Sequence, residues 1–204
     1  MSTSVLLPGH SFVKRFHFWC ASNHKHNLNL SSNRIQIYWH GVSGGILLPT
    51  NKSKSLSQAT YLVSELNIDV TFVEAGSNDL CDLSLSVEGI MQALFDLAAT
   101  ILNSGSKLVI IAEILQRRND NMFNMRARQA NALISAHCRT SRQLIFWTQS
   151  RNNFNLRFTE HFAADDGVHV HPTRGMPRYF MSVRSALLFA ERRLPLAENQ
   201  AESV

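Results

Sequence analysis

Residues 4–11 read Ser-Val-Leu-Leu-Pro-Gly-His-Ser, an apolar run that ends in a glycine turn followed by a serine. An apolar run bounded by a turn signal is typical of a buried strand. A serine at a strand-to-helix turn would present its hydroxyl at the carboxyl edge of a sheet, beside the unpaired N–H groups of the helix. The serine could equally cap that helix. The stretch predicts a first strand that places Ser11 at a sheet edge.

Short aliphatic or β-branched runs recur along the chain and predict five strands, at 4–7, 34–39, 69–75, 107–112 and 143–147. Between them, apolar residues at helical spacing predict helices at 57–66, 87–102, 122–138 and 176–192. Alternating strands and helices indicate a parallel sheet with helices on both faces. We therefore expect a three-layer α/β/α sandwich around a five-stranded parallel, flavodoxin-like sheet. The polar stretches 22–33 and 151–155 predict loops.

The chain has 204 residues, 45% of them hydrophobic, which is enough for one substantial core. We expect one domain over 1–193 and a disordered tail over 194–204. No run approaches the ~18 apolar residues of a membrane span, so we predict none. Three cysteines without a paired spacing argue against a disulfide framework and a thiolate metal site. They predict reduced thiols in an intracellular, cytoplasmic protein.

The formal charge of +5 is unevenly distributed, because eight arginines lie between Arg117 and Arg157. Asp120 lies within that stretch and Glu160 just beyond it. One interpretation is weak association with nucleic acid through the phosphates. The other is a solvated helix face and loop, which is favoured because no aromatic-interleaved or groove-reading motif accompanies the charge.

Polar or glycine-rich turns follow the first three predicted strands, at the edge where the sites of parallel sheets form. After Ser11 come a Gly-Val-Ser-Gly-Gly turn at 41–45 and a Gly-Ser-Asn-Asp turn at 76–79. Glycine lets a backbone approach a ligand closely, and an asparagine amide could point into the same crevice as the serine. Either turn could also be an ordinary connection.

The segment 165–171, Asp-Asp-Gly-Val-His-Val-His, supplies partners for a nucleophilic serine. A serine hydroxyl is a poor nucleophile unless a histidine accepts its proton and a third group orients the imidazole. An aspartate three residues before a histidine can reach back to the imidazole. Spacing leaves Asp165 and Asp166 as alternatives, and likewise His169 and His171. A plain Asp-Gly turn is a further interpretation.

The order of these four motifs resembles the SGNH, or GDSL-like, hydrolases, a family named for the Ser, Gly, Asn and His of its blocks. The resemblance spans about residues 6–190. It implies a serine hydrolase, an esterase or lipase, in which Ser11 is the nucleophile. Asp166 would orient His169, the general base. The implied substrate is a small-molecule or lipid-like ester, cleaved through an acyl-enzyme.

The resemblance also implies an oxyanion hole, the set of donors that stabilises the negative oxygen of the tetrahedral intermediate. It would combine the backbone N–H groups of Ser11 and Gly44 with the side chain of Asn78. Gly41 is the alternative to Gly44. No cofactor and no metal are predicted, since the remaining histidines form no ligand signature, although His24 and His26 could bind a metal adventitiously.

The first block departs from the family, because His10 stands where Gly-Asp-Ser would place an aspartate. An imidazole beside the nucleophile could change the pH dependence of the site or the packing of the loop. It also raises an alternative, a catalytically silent binding module of the same fold, associated with nucleic acid through the arginines. The GHSFVKRF opening and DGVHVHPTRG closing are similar to a subgroup encoded by animal retroelements and their domesticated relatives.

Overall fold

The computed structural model describes residues 2–48, 54–149, 154 and 158–201, with side chains up to Leu194. Its five strands are β1 (Thr3–Gly9), β2 (Ile35–Gly41), β3 (Val70–Val73), β4 (Leu108–Ala112) and β5 (Leu144–Trp147). They form one sheet in the order β2-β1-β3-β4-β5, and every neighbouring pair is parallel. The five predicted strands and the flavodoxin-like order are confirmed.

Helices cover both faces of the sheet: α1 (Ser11–Ser22), α2 (Gln58–Glu65), α3 (Val87–Asn103), α4 (Asn121–Cys138) and α5 (Met176–Ala201). Buried side chains of α1 and α5, such as Phe16 and Tyr179, form the core on one face. Those of α2, α3 and α4, such as Leu94 and Ile134, form the core on the other. The three-layer α/β/α sandwich is confirmed.

Local sequence explains where the helices begin. Ser86 caps α3, its hydroxyl accepting a hydrogen bond from Gly89 N at 3.1 Å. Asp120 caps α4 in the same way, its carboxylate accepting from Phe123 N at 2.9 Å. Short polar side chains at these positions satisfy N–H groups that the first helical turn leaves unpaired.

Two regions differ from the sequence predictions. The four predicted helices correspond to α2–α5, whereas α1 was implied only by the turn at Ser11, although its buried residues recur at helical spacing. The stretch 22–33 contains a short 3₁₀ helix, His26–Asn29. Of the predicted loop 151–155 only Phe154 is described. The backbone of α5 is helical up to Ala201, and the disordered tail stays a prediction.

The start of α1 lies unusually close to the sheet. A Cβ added at Gly9 would lie 2.5 Å from Val13 Cγ2 and 2.6 Å from Glu74 O, and one at Gly41 would lie 2.5 Å from Lys14 N. Only glycine permits such an approach. The ends of β1 and β2 therefore hold the first turn of α1, and Ser11 with it, at the carboxyl edge of the sheet.

The three thiols are free, with Cys20 and Cys138 buried and Cys81 exposed. Burial raises the pKa of Cys20 to about 12 and that of Cys138 to about 11, so both are protonated at neutral pH. Within the described ranges, no helix combines the length and apolar character needed to cross a membrane.

Candidate active site

Ser11, His169 and Asp166 lie in one hydrogen-bonded chain at the carboxyl edge of the sheet. Ser11 Oγ is 3.1 Å from His169 Nε2, and His169 Nδ1 is 2.7 Å from Asp166 Oδ2. The ring of Phe12 packs against the imidazole, with 5.4 Å between ring centroids. The structure thus brings together three residues that the sequence places up to 158 positions apart.

The turn that carries Asp166 and His169 is organised by the aspartate itself. Asp166 Oδ1 accepts hydrogen bonds from Val168 N and His169 N, each at 2.9 Å, and Gly167 between them has a φ of +70°. Partial burial by itself raises the pKa of Asp166, but the hydrogen bonds from His169 and Val168 outweigh it and hold the pKa at about 2. The carboxylate is therefore ionised at neutral pH and available to orient the imidazole.

The two alternatives in this segment make different contacts. His171 Nδ1 accepts hydrogen bonds from Thr173 N at 3.2 Å and Arg174 N at 3.3 Å, which turns its ring towards its own loop. Asp165 is exposed and makes no hydrogen bond to His169 within the described part of the chain. The geometry therefore favours Asp166 and His169 as the pair beside Ser11.

His10 is a buried, neutral side chain that caps α1. It is 2% exposed, and its Nδ1 accepts a hydrogen bond from Phe12 N at 3.4 Å, so the capping residue is His10 and not Ser11. Burial, together with the nearby Arg117 and His169, lowers its pKa to about 3. The imidazole therefore contributes packing and a cap, and it does not titrate near neutral pH.

Three donors that could face an oxyanion have unused hydrogens. Neither Ser11 N nor Gly44 N has an acceptor among the described residues, and Asn78 Nδ2 uses one hydrogen on Gly45 O at 2.9 Å. Gly44 lies in the turn after β2 with a φ of +68°, whereas Gly41 is the last residue of that strand and packs on α1. Of the two glycines, Gly44 has the looser surroundings.

Asp79, in the loop after β3, is hydrogen-bonded to the loop after β2, a role that was not predicted from the sequence. Its Oδ1 accepts hydrogen bonds from Leu47 N at 2.9 Å and Leu48 N at 3.2 Å. Burial raises the pKa of Asp79, and these backbone N–H groups partly oppose the increase. Its position as the last residue of the Gly-Ser-Asn-Asp turn was the available signal.

Glu74 is a buried carboxyl next to the turn that carries Ser11, and it was also missed. It is 7% exposed, and its backbone oxygen accepts a hydrogen bond from His10 N at 3.3 Å. Burial raises its pKa to about 8, against the opposing effect of a hydrogen bond from Tyr179. Glu74 is therefore largely uncharged at pH 7. An acidic residue at the end of an apolar strand was the only sequence signal.

Arginines of the basic stretch hold the loops around the site together. Arg118 N donates to Gly167 O at 2.8 Å, and its Nε donates to Thr159 O at 2.9 Å. Arg126 is buried and donates to Leu85 O at 2.7 Å. The interpretation of the whole stretch as a solvated face is therefore wrong for these residues, because their guanidinium groups pair with backbone carbonyls.

The described residues include no group of three or more His, Cys, Asp or Glu side chains placed to hold a metal.

Solved structures with a similar fold include lipases and esterases. A GDSL-like lipase from Bacteroides thetaiotaomicron aligns with a TM-score of 0.71 at 15% identity over 92% of this chain and 89% of that one. A member of the lipolytic G-D-S-L family from Veillonella parvula gives 0.69 at 12% identity, over 93% and 99%. A family 3 carbohydrate esterase from Clostridium thermocellum gives 0.67 at 13%, over 95% and 99%. No family model and no curated protein matches the sequence. The shared property is the fold.

Proposed function

We propose that this protein is a serine hydrolase that cleaves carboxylic esters through Ser11, His169 and Asp166. The observation that carries the proposal is the chain of two hydrogen bonds between these residues. Ser11 Oγ lies 3.1 Å from His169 Nε2, and His169 Nδ1 lies 2.7 Å from Asp166 Oδ2. The fold it shares with GDSL-like lipases and esterases supports the same reaction class. The substrate would be a small-molecule or lipid-like ester.

The first half of the reaction forms an acyl-enzyme. With its hydrogen on Nδ1, shared with Asp166, His169 has Nε2 free to accept the Ser11 proton as Oγ attacks the ester carbonyl carbon. The carbonyl π bond opens to a tetrahedral oxyanion. When that intermediate collapses, the C–O bond to the leaving group breaks. His169 gives the proton to the departing alkoxide, which leaves as an alcohol.

The second half repeats these steps with water. His169 takes a proton from water, hydroxide adds to the acyl carbon, and the tetrahedral intermediate expels Ser11 Oγ, which recovers the proton. A carboxylic acid is released. Oriented N–H donors from Ser11, Gly44 and Asn78 would stabilise both oxyanions, since preorganised donors need no reorganisation as the charge develops.

The replacement at His10 is compatible with this chemistry. Since the imidazole is neutral near pH 7 and caps α1, it adds no charge beside the nucleophile. The catalytically silent module is the competing hypothesis. The retroelement-like subgroup and a nucleic-acid association rest on the sequence motifs alone, and both stay predictions.

A fluorophosphonate probe tests the proposal directly. We expect the wild-type protein to be labelled and Ser11→Ala not to be, because the probe forms a bond to an activated serine oxygen. Ser64→Ala, which removes an exposed serine on α2, is the matched control and should label like the wild type. Ester hydrolysis should fall by about 10⁴-fold or more in Ser11→Ala. Folded wild-type protein that does not label, or equal labelling of Ser11→Ala, would contradict the proposal.

A further inference from the structure

Arg117 is held in a fixed position in the loop between β4 and α4. Its backbone N donates to Asn124 Oδ1 at 2.7 Å, and Asn124 Nδ2 donates to its backbone oxygen at 2.8 Å. The guanidinium carbon lies 4.1 Å from the centre of the buried Phe123 ring. Both ends of the residue are thereby restrained, so that little conformational entropy would be lost if the guanidinium bound a ligand.

The guanidinium contacts the loop that carries Asn78. Its Nη2 donates to Ser77 Oγ at 3.2 Å and to Ser77 O at 3.3 Å, and its Nη1 contacts Cys81 Sγ at 2.8 Å. Its charge also contributes to the lowered pKa of His10, the neighbour of Ser11. Arg117 therefore places a positive charge beside the proposed reaction centre.

No carboxylate among the described residues lies within ion-pair distance of Arg117. Its hydrogen-bond partners are a sulfur, a hydroxyl and a backbone carbonyl. Of the five N–H groups of an arginine side chain, these contacts account for three, and that of Nε is buried without a partner among the described residues, so one N–H on Nη1 remains for a ligand. The nearby Asp79 directs one carboxylate oxygen to backbone N–H groups, and the carboxyl of Glu74 is largely protonated. Neither of these carboxyl groups forms an ion pair with Arg117 within the described part of the chain.

Arg117 also lines a polar cleft of about 540 Å³, together with Arg118, Asn119, Asn121, Thr159 and Glu160. This volume lies in the range of small-molecule sites. The hydrogen bond from Arg118 N to Gly167 O places the cleft next to the turn that carries Asp166 and His169. A substrate bound at Ser11 could extend into it.

We propose that Arg117 binds a carboxylate or phosphate group on the ester substrate, so that the protein prefers anionic esters over neutral ones. A guanidinium without a carboxylate partner among the described residues, packed on an aromatic ring at the wall of the cleft, is suited to such a group. Glu160 on the same cleft is strongly exposed, and its ion-pair contact is with His161, at 3.7 Å, and not with Arg117. The inference rests on the proposed ester hydrolysis and adds the substrate class.

Two matched substrate pairs test the inference. 4-Acetoxybenzoate and its methyl ester differ in charge on the leaving group, and monophenyl glutarate and phenyl pentanoate differ in charge on the acyl group. The readout is the ratio of kcat/KM for the anionic ester to that for the neutral one. In at least one pair, Arg117→Gln should lower this ratio about 10-fold, mainly through KM, since it removes a charged hydrogen-bond donor.

Two variants control this measurement. Arg117→Lys keeps the charge but loses the planar guanidinium packed on Phe123, so it should retain part of the preference, more than Arg117→Gln. Arg128→Gln removes an exposed arginine of α4 and should leave the ratio unchanged, which excludes an effect of net charge. Should Arg117→Gln fail to fold, the wild-type preference itself is the second measurement, and it should weaken as NaCl is raised from about 50 mM to about 500 mM.

The outcomes separate this inference from the proposed function. If the wild type labels with the fluorophosphonate and hydrolyses the neutral esters, but neither ratio changes in Arg117→Gln, the inference is wrong and the hydrolase proposal stands. An equal fall for the charged and neutral esters would also overturn it, because it would show that Arg117 only supports the loop. A wild type that neither labels nor hydrolyses any of the esters overturns both.

Discussion

The two sides of the candidate site are built differently. On the nucleophile side, Gly9 and His10 are buried and Ser11 is half-buried, in a turn from β1 to α1 that packs against Glu74, the residue after β3. On the base side, Asp166 and His169 lie on a turn whose aspartate side chain is 43% exposed. The first is positioned by close packing, whereas the second is positioned by a few hydrogen bonds.

The two sides therefore differ in how strongly the position of their residues depends on the stability of the whole fold. Moving the nucleophile requires the atoms around Gly9 to move, and those atoms belong to the hydrophobic core. The histidine turn is held by Asp166, by the backbone of Arg118 and by a short bridge between Ala163 and Val170. Substitutions on the nucleophile side should therefore lower the free energy of unfolding, while those on the base side should lower activity with little loss of stability.

The largest expected effect is that of Asp166→Asn on activity. The asparagine oxygen can still accept the N–H groups of Val168 and His169, but its amide would face His169 Nδ1 and favour the tautomer with the hydrogen on Nε2. That tautomer cannot accept the Ser11 proton, so kcat should fall by about 10⁴-fold. The melting temperature should change by no more than about 2 °C.

Ester hydrolysis and thermal unfolding measured on the same preparations check this prediction. Asp165→Asn, one residue away and exposed, is the matched control and should keep wild-type kcat. If Asp166→Asn retains more than a tenth of the wild-type kcat, Asp166 is not the orienting group. If it instead unfolds, the base side is not independent of stability.

Gly9→Ala should have the next largest effect, this time on stability. The new Cβ would lie 2.5 Å from Val13 Cγ2, so that the start of α1 must shift. We expect a loss of about 2 kcal/mol in the free energy of unfolding, or about 4–8 °C in melting temperature. Gly167→Ala is the counterpart on the base side, where the nearest atom is Arg118 Cβ at 3.0 Å and the left-handed φ of +70° adds a cost of about 1 kcal/mol. Denaturant titration should show the smaller loss there, and an equal or larger one would contradict the comparison.

The smallest expected effect is on the pH dependence of stability. The pKa of Glu74 is about 8 in the folded protein and near 4.5 when exposed, so between these values the folded state binds the extra proton. Stability should therefore fall as pH rises through this window, by at most about 1.4 kcal/mol per pH unit from this group.

Glu74→Gln removes this titration, so the free energy of unfolding should fall less between pH 6 and pH 7 in the variant than in the wild type. Denaturant midpoints of wild type and variant at pH 6 and pH 7 measure it, because any constant cost of the amide cancels between the two pH values. Glu65→Gln, on the exposed end of α2, is the control and should follow the wild type. Parallel curves for the wild type and Glu74→Gln would show that Glu74 is already ionised in the folded state.

The fold was largely predictable because its signals are local. The apolar residues of β4 are buried on both faces, and a continuous run such as Leu-Val-Ile-Ile-Ala predicts that state directly. The bounds of α1 were harder to predict, because its cap is a histidine whose ring had to be buried before Nδ1 could serve as an acceptor.

The candidate site was only partly predictable, because contacts between distant segments decide which of the candidate residues lie next to each other. The order of motifs along the chain, and the family that this order resembles, led to Ser11, Gly44 and Asn78. Spacing could not separate Asp165 from Asp166. Nor could it show that Arg118 binds the backbone of the histidine turn, 49 positions away in the chain at Gly167.

The sequence by itself determined the alternation of strands and helices and the turn that presents Ser11, since hydrophobic periodicity and glycine turns act over a few residues. Only the tertiary structure decided which histidine reaches that serine, that His10 is neutral, and that Arg117 contacts a loop of the candidate site without a carboxylate partner in the described residues. These properties depend on burial and on long-range contacts, which come into existence only when the sheet edge is assembled.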